Sequence, residues 1–324
     1  MRKPEILRIN VENFLQTHNF DLYIGNPFSA KFFPANSATL ILTRSKYSDL
    51  PGFDKILKNK GSNILAFGAG SVFDPAKYIA SVTNSHLTVI PSALSVNSFA
   101  THRSSFFNND GKKSIDVAPP DLVVLDFELL QSAGILNVLG IVELASTATA
   151  VVDWDLAIKK GVERSNRDIR KRSQILIHKT FSLLEKVGDI SENLEELFEG
   201  LLESGMLTQA YGNGRPVSGS EHILSSYIEN HVECAHGAAL YIGILIVAEL
   251  QRLHGRTTKE TAILADYLWK NELIKKYIRN QFDKNSIIRI LTAEHSPKQK
   301  HTIIDECSTR TLRLTTRKIC DSLF

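Results

Sequence analysis

Only three cysteines occur in the 324 residues, Cys234, Cys307 and Cys320, and no two of them form a Cys-x-x-Cys pair. Their odd number and spacing exclude a disulfide framework and a cysteine-built zinc site, and a reducing cytoplasm is the expected home. An excess of charge is missing as well, because 38 Lys and Arg stand against 35 Asp and Glu for a formal net charge of +3. The one basic run, Asn166-Arg167-Asp168-Ile169-Arg170-Lys171-Arg172, lies among helix-like apolar positions and has no aromatic platform. It reads as a solvated helix face, and no nucleic acid partner is expected. Met1-Arg2-Lys3-Pro4-Glu5 lacks the apolar core of a signal peptide, and the apolar stretch Ala238 to Leu250 is short for a bilayer and interrupted by Gly243. No membrane partner is therefore expected. Internal repeats and low-complexity segments are absent too. What remains is an ordinary globular composition, 43% hydrophobic and 23% charged, in a chain long enough for two domains with separate cores.

Four short apolar runs with β-branched residues read as buried parallel strands: 38–43, 63–67, 86–90 and 121–126. Between the second and third, Asp74-Pro75-Ala76-Lys77-Tyr78-Ile79-Ala80 has helical spacing, which makes a strand, glycine turn, helix, strand unit. From about Glu128 the pattern becomes helical, with expected helices at 128–160, 167–187, 191–210, 221–232, 237–253, 259–281 and 309–323. The fold class is thus an α/β amino-terminal domain with a Rossmann-like parallel sheet, residues 1–130, followed by an all-helical domain, residues 131–324. The first is expected to bind a nucleotide and the second a metal and substrate.

The turn Phe67-Gly68-Ala69-Gly70-Ser71-Val72-Phe73-Asp74 joins a strand to a helix. Glycines there let backbone N–H groups approach a pyrophosphate at a helix amino terminus, although Phe73 stands where a third glycine would complete the dinucleotide fingerprint. Farther on, His222 in Gly219-Ser220-Glu221-His222, His236 in His236-Gly237 and the upstream acid Glu143 supply two imidazoles and a carboxylate. Such a set suits a catalytic divalent ion with a coordination position left open.

The order of these motifs resembles the sn-glycerol-1-phosphate dehydrogenases, within the wider group of iron-type alcohol dehydrogenases, glycerol dehydrogenases and 3-dehydroquinate synthases. The family's Gly-Gly-Gly-x-x-x-Asp-x-x-Lys is similar to Gly68-Ala69-Gly70-Ser71-Val72-Phe73-Asp74-Pro75-Ala76-Lys77, and its Pro-Thr-Ala-x-Ser to Pro91-Ser92-Ala93-Leu94-Ser95. Gly140-Ile141-Val142-Glu143, with Thr149-Ala150 and Asp153-Trp154 downstream, resembles the dehydrogenases' Gly-x-Gly-Asp block. The resemblance spans about residues 38 to 250. It implies a dehydroquinate synthase-like fold and a divalent metal, most often zinc, on Glu143, His222 and His236. It also implies NAD or NADP on Gly68, Gly70, Ser71 and Asp74, with Ser92 and Ser95 near the nicotinamide and a homodimer or larger homo-oligomer. The substrate would be a small, phosphorylated molecule meeting Asn97 and Arg103.

Several positions depart from the family pattern. Glu143 stands where the dehydrogenases carry Asp. The synthases carry Glu there, but with a lysine three positions on, where this chain has Ser146. Asn97 replaces a substrate-contacting Asp, which keeps hydrogen bonding but loses a charge. The strand 38–43 ends in Thr43-Arg44 rather than in the Asp that takes the adenosine ribose, and arginine there favours a 2′-phosphate. Only about twenty residues part Thr43 from Asn63, with Lys55-Ile56-Leu57-Lys58 able to supply one short helix, so the adenosine half is expected to be trimmed. Lys77 is a candidate phosphate contact, Glu221 a helix cap or an orienter of His222, and Asp153 and Trp154 packing groups. His102, His231 and His254 are candidates for a proton relay or a second metal.

Three functions remain open on this reading. The first is a metal-dependent NAD(P)-linked polyol-phosphate dehydrogenase. The second is a dehydroquinate synthase-like cyclase or phosphate lyase. The third is a non-catalytic descendant that binds a nucleotide.

Overall fold

The computed structural model describes residues 2–53, 56, 61–108, 111–293 and 301–324. Two compact units emerge, the first comprising Met1–Asn108, Lys112–Asn137 and Gly188–Gln209, the second built mainly from Val138–Val187 and Ala210–Phe324. The division is not a single cut after residue 130: the first unit runs on to Asn137 and regains Gly188–Gln209.

Unit 1 carries the strands β1 (Glu5–Arg8), β2 (Leu22–Gly25), β3 (Thr39–Ile41), β4 (Asn63–Gly68), β5 (His86–Pro91), β6 (Arg103–Asn108), β7 (Gly111–Asp116) and β8 (Leu122–Leu125). Six of them form one sheet in the order β1-β8-β5-β4-β2-β3, while β6 and β7 pair separately. Every pairing in the large sheet is parallel. Its central strands are buried apolar runs because both faces are covered. On one side Val11, Phe14, Tyr23, Leu65, Phe67, Ile90 and Val124 make a continuous core.

The strands expected at 63–67, 86–90, 121–126 and 38–43 are all present, the last only as Thr39–Ile41. The sequence pattern missed β1, β2, β6 and β7, none of which holds more than three apolar residues in a row. Recovering β2 corrects the expected trimming. The strand before Arg44 is not the first of the nucleotide-binding half, because β2 precedes it and lies between it and β4. Among the described residues the sheet has six strands, β2 included. The short helix expected at Lys55–Lys58 falls largely outside the described residues.

Unit 2 is helical. The expected run 128–160 is two helices, Phe127–Gln131 in unit 1 and Ile135–Lys159, which from Val138 belongs to unit 2, parted at Gly134, whose φ of +50° favours glycine. The expected 259–281 run breaks at Asn271, whose side chain caps the following helix by accepting from the Ile274 N–H. Helix Ile135–Lys159 has the length and apolarity of a membrane span, a longer such segment than Ala238 to Leu250, but 89% of its most apolar window is buried inside the protein. It is the core helix against which the site helices pack.

Candidate functional site

In unit 1, β4 ends at Gly68 and the helix Gly70–Thr83 begins two residues later, with extended backbone at Ala69. A Cβ on Gly68 would lie 2.7 Å from the Val72 side chain, so the turn closes only with glycine there. The Ser92 N–H donates to the Gly68 carbonyl at 2.7 Å and ties the exit of β5 to the turn. Ser71 is exposed and Gly70 half-buried, which leaves the helix amino terminus open to an anion. Ser92, Ser95 and Asn97 are each half-buried on the segment after β5. The Asn97 amide donates to the Ser204 hydroxyl at 2.8 Å.

Lys77 does not reach outward toward a phosphate. Its side chain is fully buried. The ammonium donates to the Thr101 hydroxyl at 3.0 Å and the Arg103 carbonyl at 2.5 Å, and pairs with Asp74 at 3.0 Å. Burial lowers its pKa against the opposing pull of Asp74. Asp74 and Lys77 thus hold the glycine-turn helix to the start of β6. Arg103 opens that strand rather than sitting on a loop, and its guanidinium lies 3.2 Å from the exposed Asp116.

In unit 2, Glu143 comes from the middle of helix Ile135–Lys159, His222 from the first turn of helix Ser220–His231 and His236 from the first residue of helix His236–Leu253. Close helix approach makes this convergence possible: a Cβ on Gly237 would lie 2.7 Å from Leu139, and one on Gly243 would lie 2.5 Å from the Glu221 carbonyl oxygen. Oε2 of Glu143 lies 3.2 Å from Nε2 of His236 and 3.7 Å from Nε2 of His222. Among the described residues these three form the one group of three or more whose ligand atoms lie within 4.8 Å of one another.

The outer nitrogens are already committed. Nδ1 of His222 is 2.9 Å from Glu221 and Nδ1 of His236 is 2.8 Å from Glu229. A carboxylate on Nδ1 fixes the proton there and leaves the Nε2 lone pair for a cation. Glu143 Oε2 is buried with no hydrogen-bond partner, an acceptor that a cation would satisfy. The donor set and its orientation fit a divalent ion. Glu221 both caps and orients: it accepts from the Gly219 N–H at 2.5 Å and the Thr149 hydroxyl at 2.9 Å as well as facing His222. Glu229 was missed by sequence reasoning because it belongs to no motif; its burial to 5% exposure and its contact with His236 appear only in the fold.

Burial works against ionisation of Glu143, but the adjacent imidazoles of His222 and His236 outweigh it and hold its pKa well below the carboxylate range. Burial likewise disfavours the His222 imidazolium, and Glu143 and Glu221 overcome that to raise its pKa to about 9. The ion-free site therefore holds a proton that a cation must displace. Affinity for a divalent ion is expected to strengthen about tenfold per pH unit as pH rises toward that value, then level off. Calorimetric zinc titration across pH checks this; a flat profile contradicts it.

The remaining expected residues serve elsewhere. Asp153 is buried and accepts from the Ser220 N–H and hydroxyl, both at 2.6 Å, and from the Ile303 N–H at 2.8 Å. Trp154 donates to the Tyr211 hydroxyl at 3.0 Å. His231 bonds the Tyr227 carbonyl and His254 faces the Cys307 sulfur at 3.1 Å. Ser146 is fully buried, and its hydroxyl donates to the carbonyls of Glu143 and Val217.

Residues 40–134 match the family model described as iron-containing alcohol dehydrogenase. The chain is similar to the glycerol-1-phosphate dehydrogenase [NAD(P)+] of Methanothermobacter thermautotrophicus, with 28% identity over 76% of this chain and 70% of the relative. It is also similar to the enzyme of that name from Haloquadratum walsbyi, with 26% identity over 88% and 82%. Among solved structures, a probable glycerol dehydrogenase from Sinorhizobium meliloti 1021 superposes with a TM-score of 0.70 at 13% identity, covering 98% of this chain and 97% of that one. At that identity the superposition speaks for the fold alone.

Proposed function

We propose that the chain, similar to the iron-containing alcohol dehydrogenases and to the glycerol-1-phosphate dehydrogenases, is a metal-dependent, NAD(P)-linked dehydrogenase of a small polyol phosphate. The observation that carries this reading is the convergence of Glu143, His222 and His236 with both outer imidazole nitrogens occupied by carboxylates. Zinc is the ion this set suits best. When bound, the ion supplies a Lewis acid for the substrate oxygen, and the nicotinamide exchanges the hydride.

The chain's own residues do the placing. Glu143, His222 and His236 hold the ion within residues 131–324. Gly68, Gly70 and Ser71, within residues 1–130, offer backbone N–H groups to a pyrophosphate. Asp74 acts through Lys77, and Ser92 and Ser95 flank the nicotinamide. Asn97, held by Ser204, hydrogen-bonds the substrate. Arg103 receives the phosphate by exchanging an exposed aspartate, a weak surface pair. Three free cysteines suit a cytoplasmic setting. The synthase reading is disfavoured because the position of its lysine is a fully buried serine tied to two carbonyls, with no space for an ammonium.

The test is a screen of polyol phosphates with the metal-loaded protein. Equimolar reduced nucleotide and oxidised substrate, with the phosphate retained, is the expected result. Release of inorganic phosphate without reduced nucleotide would transfer the chain to the synthase class.

A further inference from the structure

The helix that carries Glu143 also grips the helix that carries His222. Helix Ser220–His231 is preceded by Gly219, which has no side chain to cap it, so its first turn needs acceptors from elsewhere for its free N–H groups. Helix Ile135–Lys159 supplies one of them. Glu143, Ser146, Ala150 and Asp153 recur at three- and four-residue spacing and therefore share one stripe of that helix.

Three levels of the stripe hold the residues that lead to His222. The Ser146 hydroxyl donates to the Val217 carbonyl at 3.0 Å. Ala150 lies against Gly219, where a Cβ would come within 3.0 Å of the alanine Cα. One turn farther on, Oδ2 of Asp153 accepts from both the Ser220 N–H and the Ser220 hydroxyl at 2.6 Å. Ser220 is the first residue of its helix and His222 stands two residues on. A carboxylate at this end also suits the helix dipole. Oδ1 of Asp153 takes the Ile303 N–H at 2.8 Å, so one side chain joins three segments of unit 2.

This way of capping a helix is costly. Asp153 and Glu221 are both fully buried, and a Cβ on Gly219 would lie 2.6 Å from Oδ2 of Asp153 and 3.0 Å from Oε2 of Glu221. Two carboxylates crowd one glycine, where like charges repel and lose hydration. A serine at 219 would cap the helix without a second buried acid. What such a local cap lacks is a connection to Glu143. Asp153 lies ten residues farther along the same helix, about 15 Å at 1.5 Å per residue. The spacing between Glu143 and the first turn of the His222 helix is thereby set by one rigid element.

We propose that Asp153 is a positioning residue of the ion site: through Ser220 it fixes the first turn of helix Ser220–His231, so that Nε2 of His222 stays within coordinating reach of the ion held by Glu143. This rests on the reading of Glu143, His222 and His236 as an ion site. Glu221 and Glu229 meet the imidazoles directly and set their rotation. Asp153 sets the place of the turn that carries His222.

Loading with cobalt(II) tests it, because cobalt's visible absorption reports ligand geometry, to which zinc with its filled d shell is silent. The cobalt spectrum, calorimetric zinc affinity and thermal melt are measured on the unaltered chain, Asp153→Asn, Ser220→Ala and Thr261→Val. Asparagine keeps the size of Asp153, but its single oxygen cannot accept from Ser220 and Ile303 together. The expected result is an altered cobalt spectrum and zinc bound about tenfold more weakly. Ser220→Ala, which keeps the backbone bond, should give the same changes to a smaller extent. Thr261→Val removes a buried hydroxyl bond to the Ala148 carbonyl of the same helix, and should lower the melting temperature while leaving spectrum and affinity unchanged. An Asp153→Asn protein that melts earlier yet keeps the cobalt spectrum and zinc affinity makes Asp153 a structural prop and overturns the assignment. The same spectral change in Thr261→Val overturns it too, by tracing the effect to general loosening. Should Asp153→Asn fail to fold, Ser220→Ala decides, and an unchanged spectrum there counts against the role. Uptake of neither metal by the unaltered chain overturns the ion-site reading itself.

Discussion

Replacing His236 with alanine is expected to abolish tight metal binding and to lower turnover by about a thousandfold or more, the rate equivalent of losing several kcal/mol of charge stabilisation. The fold should survive, because the ring is at the edge of the site with about a fifth of its side chain exposed and helix His236–Leu253 is anchored by its own buried apolar residues. Glu229→Gln separates ligand from orienter. The amide keeps the side chain's shape but no longer fixes the proton on Nδ1 of His236 through a charged acceptor, so metal affinity should fall by about 10 to 100-fold. Turnover at saturating metal should recover largely in Glu229→Gln and not in His236→Ala. Metal titrations with activity as readout, alongside thermal melts, check both variants. Full activity in His236→Ala would remove the site from the chemistry.

Lys77→Met is expected to destabilise unit 1 by about 3–5 kcal/mol, because it breaks a buried ion pair and strands its partners. The ammonium is fully enclosed and serves Asp74, the Thr101 hydroxyl and the Arg103 carbonyl together. Methionine fills much of the volume but satisfies none of the three. A lysine that merely touched a nucleotide phosphate would behave differently: its loss would raise KM for the dinucleotide and leave the melting temperature unchanged. Denaturant unfolding and KM measured on the same variant distinguish the two, and an unshifted unfolding midpoint would return Lys77 to the phosphate.

How far the sequence carried these conclusions depended on the kind of signal. Glu143, His222 and His236 were readable because their residue types and order together suit an ion, and the fold brings them within ligand distance. Glu229 was unreadable because only the packing of helix Ser220–His231 beside helix His236–Leu253 brings it to His236. The four apolar runs announced their strands through β-branched content, whereas β1, β2, β6 and β7 each hold at most three apolar residues in a row, too little pattern to register. Missing β2 shifted the reading of the nucleotide half by one strand and made a six-stranded sheet look shortened. Lys77 shows the limit of residue type: a lysine on a helix is ordinarily exposed, and its burial follows from where the start of β6 happens to lie.

The most direct test follows metal content and turnover together in one preparation. The protein is stripped with a chelator, zinc is returned in steps, and at each step elemental analysis is paired with the rate of NADP+ reduction by glycerol-1-phosphate. Activity is expected to vanish with the ion, to rise in proportion to occupancy and to reach its maximum at one ion per chain. Undiminished reduction of the nucleotide by the stripped protein would contradict the assignment of Glu143, His222 and His236 as a catalytic metal centre.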